Sequence, residues 1–597
     1  MIRFRLISLL LGLWTILAGL PASAQNREVT GTVSDEAGPV VGATVIVKGS
    51  SVGTTTDANG SYRIEVPGTD AVLVFSFVGY ETLELPVGSK TRVDAKFAQT
   101  SVEVEELVVV GYGVQRKSHL TGAITKFNPQ DVIDVPSSDI TTVLQGRLSG
   151  VTIQNTTSEV GVAPEIRVRG SGALNSGGSP LVVVDNFVME DGLQLINPQD
   201  IASIEVLKDA SSAAIYGSRG SNGVILISTR QGTEGKVTIR YDGYYAIQTV
   251  ANFPHIMNGE EYYNYKKGWA DDDDSDPDAF LNETERAVYA DGSWKKWTWK
   301  DLLTRTGYST RHNISASGGS KVLKYNVSLN YLRNKGTIIN DQYQRAQLRV
   351  NLTANLAKWL TYTTNTMLTW SDNSGATPKF VDVFNKSPLL RPFNEDGSIN
   401  ITPDASNEKR FNPLECLLYD DYNASYKLAT NNSFKATLTK GLTYTLNTGI
   451  QFYDTEHNEY QGTNTGAMKS YNGWGKISDK KRFAYSLENI LNYERKFGRH
   501  GLFFTFVYSF EENTNRTNEL EGYDFPNDLL SYNGLAQAKQ LTPYIEKTNT
   551  KLISQMFRAN YEFDNRYLFT FTVRRDGYSG FGANNKWGVF PSGAVGW

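Results

Sequence analysis

The fold is decided by eight strictly alternating residues, Lys324-Tyr325-Asn326-Val327-Ser328-Leu329-Asn330-Tyr331. Every second side chain is aromatic or aliphatic, and the side chains between them are polar. This period of two predicts a β-strand with one apolar and one polar face. Because a soluble β-sandwich contains strands of the same kind, one such strand does not distinguish a sandwich from a membrane barrel.

The same alternation recurs in residues 442–447, 502–510 and 567–573, and the connections between strands differ in length in a regular way. Short turns are predicted near 318–320, 357–359, 439–441, 497–501 and 564–566. Between them lie long polar segments at about 251–308, 372–422, 456–482 and 513–549, and a modest one at 334–342. Short turns at one rim and long loops at the other are typical of an outer-membrane β-barrel.

The strand count predicts an incomplete barrel. About eleven strands precede a twelfth that begins near Phe590, and the sequence ends at Trp597. Bacterial single-chain barrels have even strand numbers and can be much larger than this. We therefore expect residues 236–597 to form about half of a transmembrane antiparallel β-barrel in a C-terminally truncated sequence.

Composition excludes several other classes of protein. The net charge of −4 gives no electrostatic footprint for nucleic acid. The single cysteine, Cys416, builds neither a disulfide framework nor a thiolate metal site, and none of the five histidines forms a His-x-x-x-His pair. A mean hydropathy of −0.36 excludes a helical membrane bundle but is compatible with a barrel. We expect no cofactor and no catalytic metal.

The N-terminus predicts export followed by a small β domain. Arg3 and Arg5 precede an apolar run at 6–20 and an Ala22-Ser23-Ala24 cleavage pattern, so residues 1–24 are predicted to be a signal peptide. Residues 27–100 predict a β-sandwich with strands at 29–33, 43–47, 61–66 and 71–77, separated by turn clusters. This domain has no histidine and no candidate nucleophile–base pair, which indicates a structural role.

Residues 114–232 predict a mixed α/β domain. Strands are expected at 166–168, 181–184, 204–207 and 224–227, and a helix is expected at 141–148. A second helix, at 210–216, has Asp209 as its N-cap and Gly217 as its stop. The glycine-rich run 217–223 follows a helix and precedes a strand, the reverse of a phosphate-binding loop, so no nucleotide site is expected.

Between the two domains lies the stretch Glu105-Glu106-Leu107-Val108-Val109-Val110-Gly111-Tyr112-Gly113. It combines an acidic leader, a β-branched run and a glycine-rich end, and it has no obvious strand partner. An unpaired strand of this kind is either an ordinary interdomain strand or a docking site for another protein. These residues alone leave both interpretations open.

The motifs together resemble the SusC/RagA family of TonB-linked outer-membrane transporters of Bacteroidota. They occupy residues 107–113, 144–151, 166–170, 182–185, 200–210 and 213–225, with Arg574-Arg575-Asp576-Gly577-Tyr578 and residues 587–591 as barrel landmarks. The N-terminal sandwich is similar to the carboxypeptidase-regulatory-like domain, which implies no peptidase activity. The resemblance covers essentially the whole mature chain.

This resemblance implies a plug at 114–232 inside a barrel of about 22 strands. It implies TonB-dependent import across the cell outer membrane, with a periplasmic N-terminal domain and a barrel surrounded by outer-membrane lipid. The stretch 105–113 would be the TonB box and hinge. The TonB-binding residues would be Glu105, Glu106, Leu107, Val108, Val109 and Val110. A SusD-like surface lipoprotein would act as a lid over an oligosaccharide or peptide ligand.

Two plug segments depart from the family pattern. Asn186-Phe187-Val188 stands where a Gly-Val-Pro-like turn is usual, and residues 159–162 replace a smaller polar stretch. Both are expected in apex loops that face the ligand, so Asn186 and Phe187 are candidate ligand contacts. The plug charges Arg167, Arg169 and Arg219 are expected to form salt bridges to the barrel wall rather than to bind substrate.

Two features of the first long segment suggest ligands more weakly. Trp294, Trp297 and Trp299 could stack on sugar rings, but packing within the loop or at the membrane interface is the favoured interpretation. The residues at the offsets of a calcium loop are Asp272, Asp274, Asp276 and Glu283. Because a proline replaces the glycine that this loop requires, a solvated acidic segment is favoured over a calcium site.

Three other functions are compatible with parts of the sequence. A siderophore or vitamin receptor has the same fold, but the N-terminal sandwich and the Gly111-Tyr112-Gly113 ending favour the SusC type. A non-transporting surface receptor or adhesin would need neither a plug nor the 105–110 run. An outer-membrane enzyme would need a paired nucleophile and base, and none can be singled out among so few histidines.

Overall fold

The computed structural model describes residues 27–35, 38–50, 52–77, 80, 82–97, 107–109, 114–116, 124–127, 140–157, 159–168, 178–189, 191–272, 276–379, 383–404, 411–466 and 468–597. The predicted signal peptide lies outside these residues. The chain divides into two compact units, one with the N-terminal domain and one with the plug and a large sheet.

The N-terminal domain is a sandwich of two sheets, as predicted. Its strands are β1 Arg27–Ser34, β2 Thr44–Val47, β3 Gly53–Thr55, β4 Ser61–Val66, β5 Val72–Ser76, β6 Leu83–Pro86 and β7 Ala95–Lys96. The strand orders are β4-β1-β7 and β3-β2-β5-β6. Alternate side chains, among them Val29, Ile64 and Phe75, point inward and form the core. Sequence patterning missed β3, β6 and β7, which are too short to show a period.

A two-stranded sheet follows the sandwich in the chain. It pairs β8 Leu107–Val109 with β9 Val114–Arg116. The prediction that the apolar run has no strand partner is therefore wrong. The glycine-containing segment 110–113 between the two strands explains the error, because a hairpin partner that follows so closely has no long alternating pattern of its own.

The plug is built on a five-stranded sheet in the order β10-β15-β16-β13-β14, beside a separate β11-β12 pair. Its strands are β10 Ile124–Phe127, β11 Val151–Gln154, β12 Glu165–Val168, β13 Leu181–Val184, β14 Phe187–Val188, β15 Ile201–Leu207 and β16 Val224–Thr229. Its helices are α1 Ile140–Leu144, α2 Gly192–Leu195 and α3 Ala210–Ala213, with 3₁₀ turns at Pro198–Asp200 and Ala214–Gly220. Two buried hydrophobic clusters hold these elements together and extend onto the inner face of the large sheet.

The plug helices are shorter than predicted. Asp209 caps α3 as expected, because its Oδ1 accepts a hydrogen bond from the Ser212 N–H at 2.8 Å. However, α3 passes into a 3₁₀ turn that kinks at Gly217, and α1 ends before Gly146, whose φ is +73°. Left-handed glycines of this kind end helices.

The second half of the chain forms one twelve-stranded antiparallel sheet, called the wall below. Its strands pair in chain order: β17 Gly235–Gln248, β18 Gly307–Gly319, β19 Leu323–Lys335, β20 Gln342–Ala357, β21 Leu360–Asp372, β22 Asp420–Thr439, β23 Leu442–Gln461, β24 Trp474–Phe497, β25 His500–Tyr523, β26 Gln540–Phe563, β27 Tyr567–Tyr578 and β28 Trp587–Gly596. The twelfth strand begins close to the predicted position.

The connections of the wall alternate as predicted and define two rims. The short turns, such as 440–441 and 498–499, lie at one rim, and the long connections lie at the other. The connections predicted at 456–482 and 513–549 are wrong in extent, because β24, β25 and β26 are each 24 residues long and occupy much of these segments. Polar side chains on both faces of these strand ends remove the alternation that a sequence pattern needs.

The long connections contain helical segments. They are α4 Gly259–Asp272, α5 Glu283–Asp291 and α6 Trp299–Leu303, and 3₁₀ turns at Pro277–Phe280, Ser293–Lys296, Pro413–Leu418, Lys469–Tyr471 and Ser531–Gln537. Among the described residues, no helix combines the length and the apolar character needed to cross a membrane.

The two faces of the wall have opposite character. Leu329, at 55% exposure, and Phe506, at 48%, lie on an outer face that carries many exposed aliphatic and aromatic side chains. Ser328 and Asn330, which flank Leu329 on β19, are buried on the opposite face, towards the plug. This is the reverse of a soluble domain, in which the apolar face is the buried one.

Candidate functional site

The predicted TonB box is partly described. Leu107–Val109 is the strand β8, and Glu105, Glu106 and Val110 lie outside the described residues. Its role in binding another protein stays a prediction. The structure adds that the central three residues are already paired, in a sheet of two strands. An incoming strand would therefore have to add to this hairpin or replace one of its members.

The plug is fixed to the wall at β27 by a buried ion pair. Arg574 Nε donates to Asp576 Oδ1 at 2.7 Å, and both side chains are 1% exposed. Arg574 also donates to the Ile215 carbonyl at 2.5 Å, and Asp576 accepts from the Ser218 N–H at 3.2 Å. The pair thus hydrogen-bonds to the plug backbone on both sides of Gly217.

Glycine at position 217 is required by this contact. Its φ is +59° and its ψ is −135°, and a Cβ at this position would collide with the Asp576 carboxylate and lie 2.6 Å from Arg574 Nε. Glycine-rich segments allow such close backbone approach. Sequence reasoning identified 217–223 as a turn and 574–578 as a barrel landmark, but nothing in either motif indicated that they touch.

A second buried network fixes the plug to the middle of the wall. Asp185 accepts from Arg349 Nη2 at 2.7 Å, and both side chains are 7% exposed. Thr229 donates from its N–H and its hydroxyl to the same carboxylate, at 2.9 and 2.6 Å. Asn351 Nδ2 donates to Thr229 Oγ1 at 3.1 Å. Asp185 is therefore held by both the plug and the wall.

The predicted salt bridges of the plug arginines have different outcomes. Arg219 forms one with Glu511 of β25, at 2.7 Å, so this prediction is confirmed. Arg167 instead pairs with Glu165 within β12, at 2.6 Å, so its predicted bridge to the wall is wrong. The two residues are neighbours on the same face of one strand, which makes the local partner the nearest. Arg169 lies outside the described residues.

The turn that contains Asn186 and Phe187 does not lie where an apex loop was expected. Asp185 and Asn186 have φ values of +47° and +65° and form a tight hairpin between β13 and β14. Phe187 packs against Gly449 of the wall, and Asn186 faces a cavity that reaches the short-turn residue Gly441. The turn thus faces the half of the wall nearest the short turns. Its role in ligand contact stays a prediction.

Residues 159–162, by contrast, do lie at the long-connection rim. The Val160 N–H donates to the Asp341 carboxylate at 3.1 Å, and Glu159 Oε1 accepts from the Thr377 hydroxyl at 3.1 Å. Burial raises the pKa of Asp341 to about 6, a rise that nearby Glu159 supports. The Val160 N–H and Arg305 act in the opposite direction. This plug loop therefore meets the wall at a carboxyl group that titrates near neutral pH.

The three tryptophans of the first long connection pack inside that connection. Trp299 is 2% exposed, and its Nε1 donates to the Ser387 carbonyl at 3.1 Å. Trp294 and Trp297 are partly buried against a cluster formed by Leu281, Val288 and Leu389. These contacts agree with the favoured packing interpretation, and ligand stacking by Trp294 or Trp297 stays a prediction.

The acidic segment gives no support to a calcium site. Asp272 is the last residue of α4 and Glu283 is the first of α5, while Asp274 lies outside the described residues. Within the described ranges, no group of three or more acidic, histidine or cysteine side chains, Asp276 included, is placed to hold a metal ion.

Sequence reasoning missed a polar cavity of about 350 Å³ at the long-connection rim. Lys379, Lys386, Glu415 and Gln461 contribute to its lining. Glu415 is 2% exposed and accepts hydrogen bonds from the Gly466 N–H and the Tyr419 hydroxyl, so it is fixed in place. These residues stand in polar segments whose composition is that of any surface loop, which is why no sequence signal marked them.

Comparisons with known proteins agree with this architecture. Residues 29–109 match the CarboxypepD_reg-like domain family, and residues 116–224 match the TonB-dependent Receptor Plug Domain family. The predicted domain bounds at 100, 105–113, 232 and 236 stay predictions. The class that the plug and the wall define is that of TonB-dependent receptors.

Curated relatives narrow the class. The chain is 31% identical to TonB-dependent receptor P3 of Formosa agariphila, over 98% of this chain and 58% of the relative. It is also 31% identical to TonB-dependent receptor SusC of Bacteroides thetaiotaomicron, over 98% of this chain and 59% of the relative. The chain thus spans less than two thirds of the length of these relatives. The matches confirm the resemblance to SusC-like receptors that the motifs indicate, and these relatives are receptors rather than enzymes.

Solved structures support the fold. The RagAB peptide transporter matches with a TM-score of 0.70 at 22% identity, over 80% of this chain and 57% of that one. The same importer in its open-open state gives 0.70 at 23% identity. The mainly β fold with a plug and a large antiparallel sheet is thereby confirmed.

Proposed function

We propose that this protein carries out TonB-dependent active import of a large nutrient across the outer membrane. The observation that carries the proposal is the plug. It is a compact α/β domain hydrogen-bonded to the polar inner face of a wall whose outer face is apolar. In such an arrangement the plug blocks passage through the barrel at rest, and passage requires that part of the plug be displaced. Similarity to the SusC-like receptors supports it.

The orientation in the membrane follows from the two rims. The apolar outer face of the wall would contact outer-membrane lipid, the short turns would face the periplasm, and the long connections would face outward. The N-terminal sandwich would then be periplasmic. The same orientation assigns the Asp341 contact and the 350 Å³ cavity to the extracellular side, where a ligand first arrives.

Energy would come from a partner, because the outer membrane has no nucleotide supply of its own. TonB would bind the run Glu105–Val110 as an added β-strand, with backbone hydrogen bonds giving affinity and side chains giving selectivity. Force on this run would displace part of the plug, since local elements open at lower free energy than a whole domain.

The ligand would be an oligosaccharide or a peptide, held beneath a SusD-like lipoprotein lid. One structural match is a peptide transporter, which supports the peptide alternative, and the resemblance to the SusC type implies the oligosaccharide alternative. Trp294, Trp297 and the polar cavity at the outer rim are candidate contacts.

Deleting Glu105–Val110 tests the proposal. Uptake is expected to be lost, while membrane insertion and ligand binding at the cell surface persist, because the plug and the wall are untouched. Replacing the same six residues with a glycine–serine linker is the matched control, since it keeps the length and removes the sequence. Uptake that survives either change would overturn the proposal.

A further inference from the structure

A polar cavity of about 600 Å³ lies between the plug and one sector of the wall. This volume is within the range of small-ligand pockets, roughly 300–1,000 Å³. The cavity extends from Asn186 of the plug to Gly441 in the short turn after β22. The wall residues that line it include Thr363, Asn431, Thr443, Thr445 and Asn447, on strands β21 to β23. The cavity thus reaches from the plug to the short-turn rim of the wall.

The chemistry of this cavity suits a neutral polar molecule. Hydroxyl and amide side chains dominate its lining, and among the described lining residues the charges are Asp185, Lys435 and Glu494. The side-chain oxygens of Asn365 and Asn492 are buried and have no hydrogen-bond partner within the described part of the chain. Buried polar atoms normally find partners. Both residues line the cavity, so their amide groups add to its polar character.

The plug side of the cavity is lined by Asn186 and by neighbouring residues of β13 and β16, such as Val183 and Ile227. The residues Asn186–Val188, called the edge turn below, form the outermost strand of the plug sheet and the residue before it. The turn is held by two backbone-paired positions of β13, by a 2.7 Å hydrogen bond from Gln451 to the Val188 carbonyl, and by packing of Phe187 on Gly449. Phe187 and Val188 also pack against the two buried plug clusters, and Asp191, just beyond the turn, forms an ion pair with Lys427 of β22 at 3.1 Å. The contacts of the three turn residues themselves are neutral.

The other contacts between the plug and the wall are stronger. Arg349 and Arg219 form ion pairs across this interface, and the buried Arg574–Asp576 pair of β27 hydrogen-bonds to the plug backbone at Ile215 and Ser218. Hydrogen bonds to charged groups are stronger than those between neutral groups. Asp185, at the base of the edge turn, is one of these fixed points. The edge turn therefore lies between two charged anchors, Asp185 and Asp191, and is itself held by neutral hydrogen bonds and packing.

We propose that the edge turn is the gate of a preformed route along β21–β24, and that a neutral ligand rich in hydroxyl or amide groups leaves through this route towards the short-turn rim. The inference rests on the proposed import function. It names the exit side of that function and the chemical class of what passes. Most of the plug stays in place, and only the edge turn moves between its anchors at Asp185 and Asp191.

The proposed gate is tested by removing contacts of the edge turn in the absence of TonB. The full-length receptor is purified and placed in liposomes, where swelling in raffinose, a neutral trisaccharide, reports permeation. We expect the wild type to exclude raffinose and the double variant Phe187→Ala, Gln451→Ala to admit it. The matched control is Asn197→Ala with Asn313→Ala, which removes a buried 2.8 Å contact between the plug and β18. Exclusion by the gate variant, or equal permeation through the control variant or the wild type, would overturn the proposal.

A second substitution separates the route from general loss of the plug. In the gate variant, Thr445→Trp fills the cavity and is expected to return swelling to the rate of empty liposomes. Thr353→Trp, on β20 and outside the cavity lining, should leave raffinose permeation unchanged. If Thr445→Trp does not block, or if both block equally, the route is refuted. Because this assay contains no TonB, its outcome is independent of the Glu105–Val110 deletion.

Discussion

Replacing Gly217 with alanine should loosen the plug where it meets β27. The added methyl group would collide with the Asp576 carboxylate and lie 2.6 Å from Arg574 Nε. Neither partner has free space, because both side chains are 1% exposed and Arg574 also binds the Ile215 carbonyl. The plug backbone must therefore withdraw from the wall to accommodate the change.

The size of the effect follows from two costs. A non-glycine residue at this backbone conformation costs about 1–3 kcal/mol. Withdrawal also breaks the hydrogen bonds from Arg574 to Ile215 and from Ser218 to Asp576, each about 1.5–3 kcal/mol when a charged group takes part. Part of this loss is recovered by relaxation, so we expect about 3–6 kcal/mol. At about 1.4 kcal/mol per factor of ten, local opening should rise by roughly 10²- to 10⁴-fold.

Hydrogen exchange measured by mass spectrometry on the whole protein is the assay. Peptides that cover 214–220 should exchange faster in Gly217→Ala, while peptides from the wall strands stay protected. Gly146→Ala is the matched control, because Gly146 also has a positive φ, of +73°, but nothing lies within 4 Å of a Cβ there. In the control variant, we expect only the free-energy cost of placing alanine in a left-handed backbone conformation. Equal acceleration in both variants, or none in Gly217→Ala, would refute the close-contact argument.

Three further outcomes are expected. A double-mutant cycle on Arg219 and Glu511 should give a coupling of about 1 kcal/mol, reduced at high salt, because the pair is about one-third exposed. Since burial raises the pKa of Asp341 above its unfolded value, its contribution to stability is present at low pH and lost as pH rises through about 6, so Asp341→Asn should flatten the pH dependence of thermal unfolding. Trp299→Ala should cost about 3–5 kcal/mol locally, seen as faster exchange around Ser387 with the wall unchanged.

The sequence was most informative where one face of an element differs in polarity from the other. Leu442, Tyr444 and Leu446 alternate with Thr443 and Thr445, and the threonines do face the plug cavity. Because side chains alternate between the two faces of a strand, assigning one residue to a face assigns all the others. The wall, its rims and its strand count were predictable for this reason.

Prediction failed where both faces have the same polarity. Residues 474–482 of β24 include Lys480, Lys481 and Arg482 and resemble a loop. They are held as strand by cross-strand contacts such as Lys481 with Asp454 at 3.2 Å and Ser478 with Glu519 at 2.9 Å. Charged pairs across strands stabilise a sheet as apolar pairs do, but they leave no periodic signal in hydropathy.

Contacts between the plug and the wall were not predictable from single motifs. Arg574 and Ile215 are 359 residues apart, and each looks ordinary in its own segment. Their meeting depends on the register of the intervening strands, and a one-residue slip would turn Arg574 to the outer face. Motif resemblance therefore identifies the family, while the positions of the fixed points and the cavity require the three-dimensional structure.

The paired state of β8 bears on how a pulling partner would engage it. A hairpin of two three-residue strands offers few backbone hydrogen bonds, and isolated two-stranded hairpins are marginally stable in water. A partner strand that pairs with the longer run Glu105–Val110 would form more bonds than it breaks. Exchange of β9 for the partner would therefore be favourable, and it would free the segment that leads into the plug at the moment of binding. Pairing within the chain would thus keep the edge of an apolar strand covered until such a partner binds.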